Sequence, residues 1–131
     1  MAPTVAQQLR LLPGRFVVEH LAGTEHSAGG AAPAPDGEWL ALVRAPEGLT
    51  VIRPVRPGEG AAPEQWAALY SGDTAHAVDV PGMLAALLAP LAAAGVPVFV
   101  ASTFHADLVL VPVEQIPAAE AALRAAGHLV G

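Results

Sequence analysis

The sequence predicts an α+β protein of the ferredoxin-like type, because its second half reads as the element order β-α-β-β-α-β. Prolines and glycines divide an uncharged apolar run at 80–101 into a helix and a strand. Residues 106–111 are apolar on both faces of an extended chain, and residues 113–127 repeat apolar side chains at helical spacing. The 131 residues are 53% hydrophobic, which predicts one compact domain or two very small ones that share a core.

The first half of the chain is expected to be rich in strands and to lack a helix. Alternating apolar residues indicate the strands, and pairs of Pro and Gly mark the turns between them. The expected elements are two extended pieces within 9–21 joined at Pro13-Gly14, a Gly-, Ala- and Pro-rich loop at 22–37, a hairpin of 38–45 with 49–54 closed at 46–48, and a connector at 55–63.

The connector places the expected domain boundary between 1–60 and 61–131. In the second half, Pro81 suits the first turn of a helix and Pro90 should bend that helix. The second helix is expected to bury one face, made of Ile116, Ala119, Leu123 and Ala126. The expected elements are a strand at 66–71 continued at 76–80, a helix at 81–95 ending at Gly95, strands at 96–102 and 106–111, a helix at 113–127 ending at Gly127, and a last strand at 128–131.

Composition argues against several classes of function. A formal net charge of −6 without a basic cluster argues against nucleic-acid binding. With no cysteine, disulfides, thiolate catalysis and zinc-finger sites are excluded. The run at 80–101 has the length of a membrane-spanning helix, but its prolines and glycines favour a buried helix and strand, so no membrane segment is expected. No secretory signal is recognised at the N-terminus, and a cytoplasmic location is expected.

A short polar segment, Ser102-Thr103-Phe104-His105-Ala106-Asp107, separates two strongly apolar strands. One interpretation is a nucleophile, base and orienting carboxylate formed by Ser102, His105 and Asp107. Three groups within six residues of one turn cannot easily converge on a point, and the sequence has no G-x-S-x-G motif. Hydroxyl groups that cap a local turn are far more common. No catalytic residues are therefore predicted.

The five histidines, His20, His26, His76, His105 and His128, could be considered as metal ligands. No two of them have the spacing of a helical metal motif, and His105 with Asp107 is the only nearby pair. We expect these histidines to lie on the surface or in loops, and we predict no metal and no cofactor.

A different use of the polar segment follows from the expected topology. The helix that opens near Gly82 offers backbone amides to an anion, and Asp107 begins the neighbouring strand. A ligand that places a carboxylate at the helix opening and an ammonium group at Asp107 would be a free amino acid. The alternative is that Asp107 caps the turn at Thr103-Phe104.

The sequence resembles ACT domains, and more narrowly the small bacterial tandem-ACT proteins related to eukaryotic arginine sensors. The resemblance covers about 9–20 and 38–131. The matching phrases are a helix opening at Gly82-Met83-Leu84, the helix end Ala94-Gly95-Val96, the S-T-F-x-x-D element Ser102-Thr103-Phe104 with Asp107, and Leu49-Thr50-Val51. Directly before Leu49, Gly48 stands where the family phrase has its second acidic residue, so this chain lacks that carboxylate.

The resemblance implies two ACT-like halves packed side by side, the first of them reduced, with a ligand where they meet. It implies a non-catalytic sensor of a free amino acid rather than an enzyme, or alternatively a ligand-free scaffold for oligomerisation or protein contact. An arginine-like ligand would need further acceptors, which Asp73 or Asp79 could supply. A homodimer or a protein partner is the other expectation. The implied ligand residues are Asp107, Thr103, Phe104, Gly82, Met83, Leu84, Thr50 and Val51.

Overall fold

The computed structural model describes residues 6–22, 38, 40–59, 64–73 and 81–131. It divides the chain into two compact units: an α/β unit of Met1–Pro13 with Ala67–Gly131, and a β unit of Gly14–Trp66. The elements are β1 (Gln8–Leu11), β2 (Phe16–Ala22), β3 (Ala41–Ala45), β4 (Gly48–Pro54), β5 (Trp66–Tyr70), α1 (Met83–Ala93), β6 (Phe99–Ser102), β7 (Asp107–Pro112), α2 (Ile116–Ala125) and β8 (Leu129–Val130).

The predicted fold class is confirmed, because β5-α1-β6-β7-α2-β8 is the β-α-β-β-α-β order of a ferredoxin-like domain. The run at 80–101 contains α1 and β6, as its breakers predict. No helix in the described part of the chain is long and apolar enough to cross a membrane. The strand expected at 76–80 and nearly all of the loop expected at 22–37 lie outside the described residues.

The sheet of the α/β unit includes β1, which the sequence pattern did not place in it. Its order is β6-β7-β5-β1-β8. Strand β1 runs antiparallel to β5, with Arg10 opposite Tyr70, and parallel to β8, with Leu9 opposite Val130. Leu9 is buried in the same core as α1 and α2. The unit boundary therefore differs from the expected division into 1–60 and 61–131, because β1 joins the sheet of the later elements.

The core of the α/β unit lies between this sheet and the two helices. Strand β7 is buried from Leu108 to Pro112, which confirms that both of its faces are covered. Leu87 and Leu91 of α1 are fully buried, since they lie one turn apart on the helix face that meets the sheet. The buried core residues are Leu9, Ala67, Leu69, Leu87, Leu91, Val96, Val109, Val111, Ala119 and Leu123.

The expected buried face of α2 is wrong at its last residue. Ala119 and Leu123 are buried, but Ala126 is exposed and lies just beyond the helix, which ends at Ala125. Gly127 has φ +97° and donates to the carbonyl of Arg124, while His128 donates to the carbonyl of Leu123. This Schellman ending turns the chain away before Ala126 can face the core.

The start of α1 also differs by two residues from the prediction. Pro81 precedes the helix, Gly82 is its N-cap, and Met83 is its first helical residue. The helix continues through Pro90 to Ala93. Because proline has no backbone N–H, the carbonyl of Ala86, four residues earlier, cannot receive its usual helical hydrogen bond.

His128 supplies the donor that Pro90 lacks. Its Nε2 lies 2.9 Å from the carbonyl oxygen of Ala86. A carbonyl only accepts, so Nε2 carries the proton, and Nδ1 accepts from the backbone N–H of Gln7 at 3.1 Å. His128 lies in the connection between α2 and β8, within the expectation of a surface or loop position, but it is buried, with 2% of its surface exposed. His20 and His105 are exposed. His26 and His76 lie outside the described residues.

A double-mutant cycle tests this explanation. His128→Leu should destabilise the chain by about 2–4 kcal/mol, because it leaves the Ala86 carbonyl and the Gln7 N–H buried without partners. In the Pro90→Ala background residue 90 regains its N–H, so the same substitution should cost about 1–2 kcal/mol less. Urea unfolding of the four proteins measures the coupling. The control Leu129→Ala, at an exposed neighbour, should lower stability by the same amount in both backgrounds. If His128→Leu also lowers stability equally in both, His128 does not supply the donor that Pro90 lacks.

The β unit contains the predicted hairpin, in the strand order β3-β4-β2. Pro46 and Glu47 close it, and Gly48 pairs with both Ala45 and Ala22. Gly48 has φ +140°, and a Cβ at this position would lie 2.2 Å from the carbonyl oxygen of Leu21. The glycine is therefore required by the close approach of β2 and β4. An acidic residue of the kind found in the resembling phrase does not fit this backbone.

Substitution of Gly48 should test that steric requirement. We expect Gly48→Ala to lower the free energy of unfolding by about 2–4 kcal/mol, from the positive φ and the contact with Leu21 together. Gly48→Glu should be at least as destabilising. The control is Glu47→Ala on the exposed turn, which should change stability by less than about 0.5 kcal/mol. Chemical denaturation measures all three, and a neutral Gly48→Ala would show that β2 and β4 can separate at little cost.

A cluster of two partly exposed carboxylates around the buried Arg53 holds the end of the β unit. Arg53 is 5% exposed and donates from Nε to Glu19 at 2.7 Å. Its Nη1 and Nη2 each lie 2.8 Å from an oxygen of Glu59, in a bidentate pair. The Arg53 guanidinium and the backbone N–H of Arg56 lower the pKa of Glu59 from 4.5 to about 2. The paired carboxylates raise the pKa of Arg53 above its usual value.

The lowered pKa of Glu59 gives stability a defined pH dependence. Because the folded pKa lies below the unfolded value of 4.5, the contribution of this pair is full above about pH 4.5 and is lost as the pH falls towards 2. Glu59→Gln should therefore destabilise near neutral pH, and its difference from the unaltered chain should shrink in acid. Urea titrations at a series of pH values measure this. The control Glu47→Gln, at an exposed carboxylate, should give no such window, and a constant difference for Glu59→Gln would contradict the linkage.

Candidate functional site

A cavity of about 420 Å³ lies between the opening of α1 and the turn that joins β6 to β7. Its described lining is residues 82–85 on one side and 102–107 on the other. Both segments belong to the α/β unit. Six residues expected at the ligand site, Gly82, Met83, Leu84, Thr103, Phe104 and Asp107, are therefore brought around one cavity.

The opening of α1 presents backbone donors to this cavity. Gly82 is the N-cap with φ +83°, and no side chain caps the helix. The first helical hydrogen bond runs from the N–H of Ala86 to the carbonyl of Gly82 at 3.0 Å. The amides of Met83, Leu84 and Ala85 consequently have no acceptor within the helix, and they form the positive end of its dipole.

The turn between β6 and β7 is capped by Thr103. Its hydroxyl oxygen accepts from the backbone N–H of Ala106 at 2.9 Å and of His105 at 3.2 Å. The backbone N–H of Thr103 donates to the carbonyl of Ala106 at 2.7 Å. Thr103, rather than Asp107, therefore caps the N–H groups of His105 and Ala106, while the side chain of Asp107 joins the same turn through the Ser102 hydroxyl.

Asp107 is held at its backbone and keeps its carboxylate towards the cavity. Its N–H donates to the hydroxyl of Ser71 at 2.9 Å, and its carbonyl accepts from the N–H of Ser71 at 3.1 Å. Ser71 is fully buried at the end of β5. The Oδ1 atom of Asp107 accepts from the Ser102 hydroxyl at 2.7 Å. Within the described part of the chain, Oδ2 of this half-buried carboxylate receives no hydrogen bond.

These contacts do not form the nucleophile, base and carboxylate arrangement. The hydroxyl of Ser102 donates directly to Asp107, with no imidazole between them. The ring of His105 instead packs edge-on against Phe104, with centroids 4.8 Å apart and planes at 79°. A proton relay through His105 would need this ring to contact both other groups.

Among the described residues, no group of three or more His, Asp or Glu side chains is placed to hold a metal ion. Among the described lining residues, Asp107 is the one carboxylate, and the positive end of the α1 dipole lies on the other side of the cavity.

Phe104 forms the rim of the cavity. Its ring is 74% exposed, the highest value among the large exposed hydrophobic residues. Leu84 is partly buried on the helix side and Ala106 is buried beneath the turn. The rim is therefore apolar next to a charged group, which is typical of a site for a ligand with both a polar head and a side chain.

The remaining expected residues lie elsewhere. Thr50 and Val51 are in β4 of the β unit, where Val51 is buried and Thr50 is partly buried, and their part in a site stays a prediction. Asp73 is not among the residues that line the cavity, and its Oδ2 is in an exposed ion pair with Nε of Arg10 at 3.1 Å. Asp79 lies outside the described residues.

Ser71 was missed by the sequence reasoning, although it is the residue that anchors Asp107. The only sequence signal was a polar residue directly after the apolar strand β5. That signal cannot say which neighbouring strand the hydroxyl will bond.

Comparison with known proteins agrees with this geometry. A family model described as the ACT domain matches residues 61–125. This chain contains an ACT domain. The match begins before β5 and ends at the last residue of α2, so it spans both walls of the cavity. An ACT domain is a regulatory module of the amino-acid-binding type, and the match supports function at this level.

Solved structures share the fold at low sequence identity. A protein from Agobacterium tumefaciens has a TM-score of 0.75 at 23% identity, covering 97% of this chain and 93% of its own. A Vibrio cholerae protein of unknown function, described as a possible transport protein, has a TM-score of 0.65 at 22% identity, covering 88% and 85%. The aspartokinase alpha and beta subunits have a TM-score of 0.65 at 13% identity, covering 93% and 98%. The search of curated proteins found no match.

Proposed function

We propose that the chain is a sensor that binds a free amino acid in the cavity between α1 and the β6–β7 turn. The observation that carries this proposal is that an uncapped helix opening and a half-buried carboxylate line the same cavity. A zwitterion of an amino acid carries the two charges that complement these walls.

In the proposed complex, the α-carboxylate of the ligand accepts hydrogen bonds from the amides near Gly82, Met83 and Leu84. These amides have no helical acceptor, so binding would satisfy groups that the protein leaves open. The α-ammonium group donates to Oδ2 of Asp107. Ser102 holds the other carboxylate oxygen at 2.7 Å, which fixes the orientation of the group before a ligand arrives.

The lining also restricts the side chain of the ligand. Thr103 gives its hydroxyl to the turn, so its contribution is the shape of the wall rather than a polar contact. Phe104 lies at the rim, where a ligand side chain would pass and pack on the ring. An acidic side chain would be repelled by Asp107. A neutral or cationic side chain, including the arginine-like one suggested by the resemblance, meets no such repulsion.

The proposal includes a regulatory role in the cytoplasm, through a homodimer or a protein partner. Its alternative is a ligand-free ACT scaffold that serves oligomerisation or protein contact. One observation favours that alternative: the Thr103 hydroxyl and Oδ1 of Asp107 are already satisfied within the chain. The ligand-binding function is favoured by the amides of α1, which have no acceptor within the helix, and by Oδ2 of Asp107, which receives no hydrogen bond from a described residue.

A thermal-shift panel of the standard amino acids tests the proposal. At a ligand concentration one hundred times Kd, binding should stabilise the chain by about 2.7 kcal/mol and raise Tm by about 10 °C. Asp107→Asn keeps an acceptor for Ser102 but removes the charge, so it should weaken binding roughly 10- to 100-fold. The control Asp73→Asn removes an acidic group outside the cavity and should keep the response.

The outcomes of this panel separate the two functions. A shift that is lost in Asp107→Asn and kept in Asp73→Asn supports the amino-acid sensor. The absence of any shift, or a shift that Asp107→Asn leaves intact, contradicts it. A stable oligomer by light scattering, together with no response to any amino acid, supports the scaffold instead.

A further inference from the structure

Gln7, immediately before β1, is a buried polar side chain with an unusual balance of hydrogen bonds. It is 1% exposed. Its Nε2 donates to the carbonyl oxygen of Met83 at 2.7 Å, whereas its Oε1 is buried and has no hydrogen-bond partner among the described residues. The amide cannot be reversed, because Oε1 would then face another carbonyl oxygen.

The fold alone does not explain this carboxamide. A buried acceptor without a donor costs free energy, and an apolar side chain of the same size would fill the space without that cost. His128, the other buried polar group of this region, differs because both of its nitrogens are satisfied. What distinguishes Gln7 is the single hydrogen bond that its side chain makes, to the first residue of α1.

That hydrogen bond reaches the wall of the candidate site. Met83 begins α1 and lines the cavity. Ala86, which accepts from His128, lies three residues later and so on the same side of the helix. His128 in turn accepts from the backbone N–H of Gln7 at 3.1 Å. The first turn of α1 is thus held from within the protein by two linked hydrogen bonds.

We infer that Gln7 is a positioning residue for the amino-acid site. It fixes the first turn of α1 so that the amides of Met83 and Leu84 meet the ligand carboxylate. This inference rests on the proposed function, and it assigns a role to a residue just before β1, a part of the chain that the ACT match at 61–125 does not include. Gln7 touches no ligand, and it acts through the backbone of Met83.

Gln7→Leu tests the inference, because it removes both the hydrogen bond and the unpartnered oxygen. The global stability of the chain should be unchanged or raised. The affinity for an amino acid that shifts the unaltered chain should fall roughly tenfold, as the helix opening loses its fixed position. The control is Gln8→Leu, the same replacement at the exposed neighbour, which should keep the affinity. If Gln7 had a purely structural role, Gln7→Leu would lower the stability of the chain and leave its affinity for the amino acid unchanged.

Amide hydrogen exchange on the ligand-free protein gives a second readout. Exchange should become roughly tenfold faster in Gln7→Leu at Ala86 and Leu87, whose N–H groups close the first turn of α1. Exchange at Leu123 in α2 should stay the same. Unchanged exchange in α1, or an unchanged affinity, would overturn the inference. If no amino acid shifts the unaltered chain, the proposed function fails, and the exchange rates alone then decide whether Gln7 holds this helix.

Discussion

The missing N–H of Pro90 is the constraint from which much of the α/β unit can be understood. It leaves the carbonyl of Ala86 without a helical donor, and His128 supplies one from the end of α2. That bond fixes the tautomer of the ring, so that Nδ1 can accept from Gln7 at the start of β1. One gap in a helix therefore connects α1, β1 and the segment after α2, and it explains why an imidazole is buried there.

In the candidate site, each polar group makes a different set of hydrogen bonds. Thr103 closes the turn between β6 and β7, so Asp107 is not needed for that purpose. Ser71 anchors the backbone of Asp107, and Ser102 orients its side chain. The remaining carboxylate oxygen and the uncapped amides of α1 are then the groups left for a ligand. Preorganisation of this kind lowers the cost of binding.

Apolar periodicity and chain breakers were sufficient to predict α1, α2, β6, β7 and the β3–β4 hairpin, because these elements depend on local pattern. The S-T-F-x-x-D element and the helix opening were predicted to lie together, and the structure places them around one cavity. The position of each strand within the sheet was harder to predict from the sequence. A short strand such as β1 has the same pattern beside β2 or beside β5. The burial of His128 depends on Pro90, and the engagement of Asp73 depends on Arg10. Both pairs are distant in sequence.

The position of β1 also has a consequence for how the chain folds. Gln7 and His128 are 121 residues apart in sequence, yet they are hydrogen-bonded, and β8 pairs with β1. Because synthesis proceeds from the N-terminus, β1 leaves the ribosome before β8. The edge of β1 that pairs with β8 therefore stays uncovered until β8 has been made. Closing so long a loop is slow, and β1 must remain unpaired on that side during synthesis. The charge of Arg10 and the polar Gln8 on this strand are features that limit aggregation at such an edge.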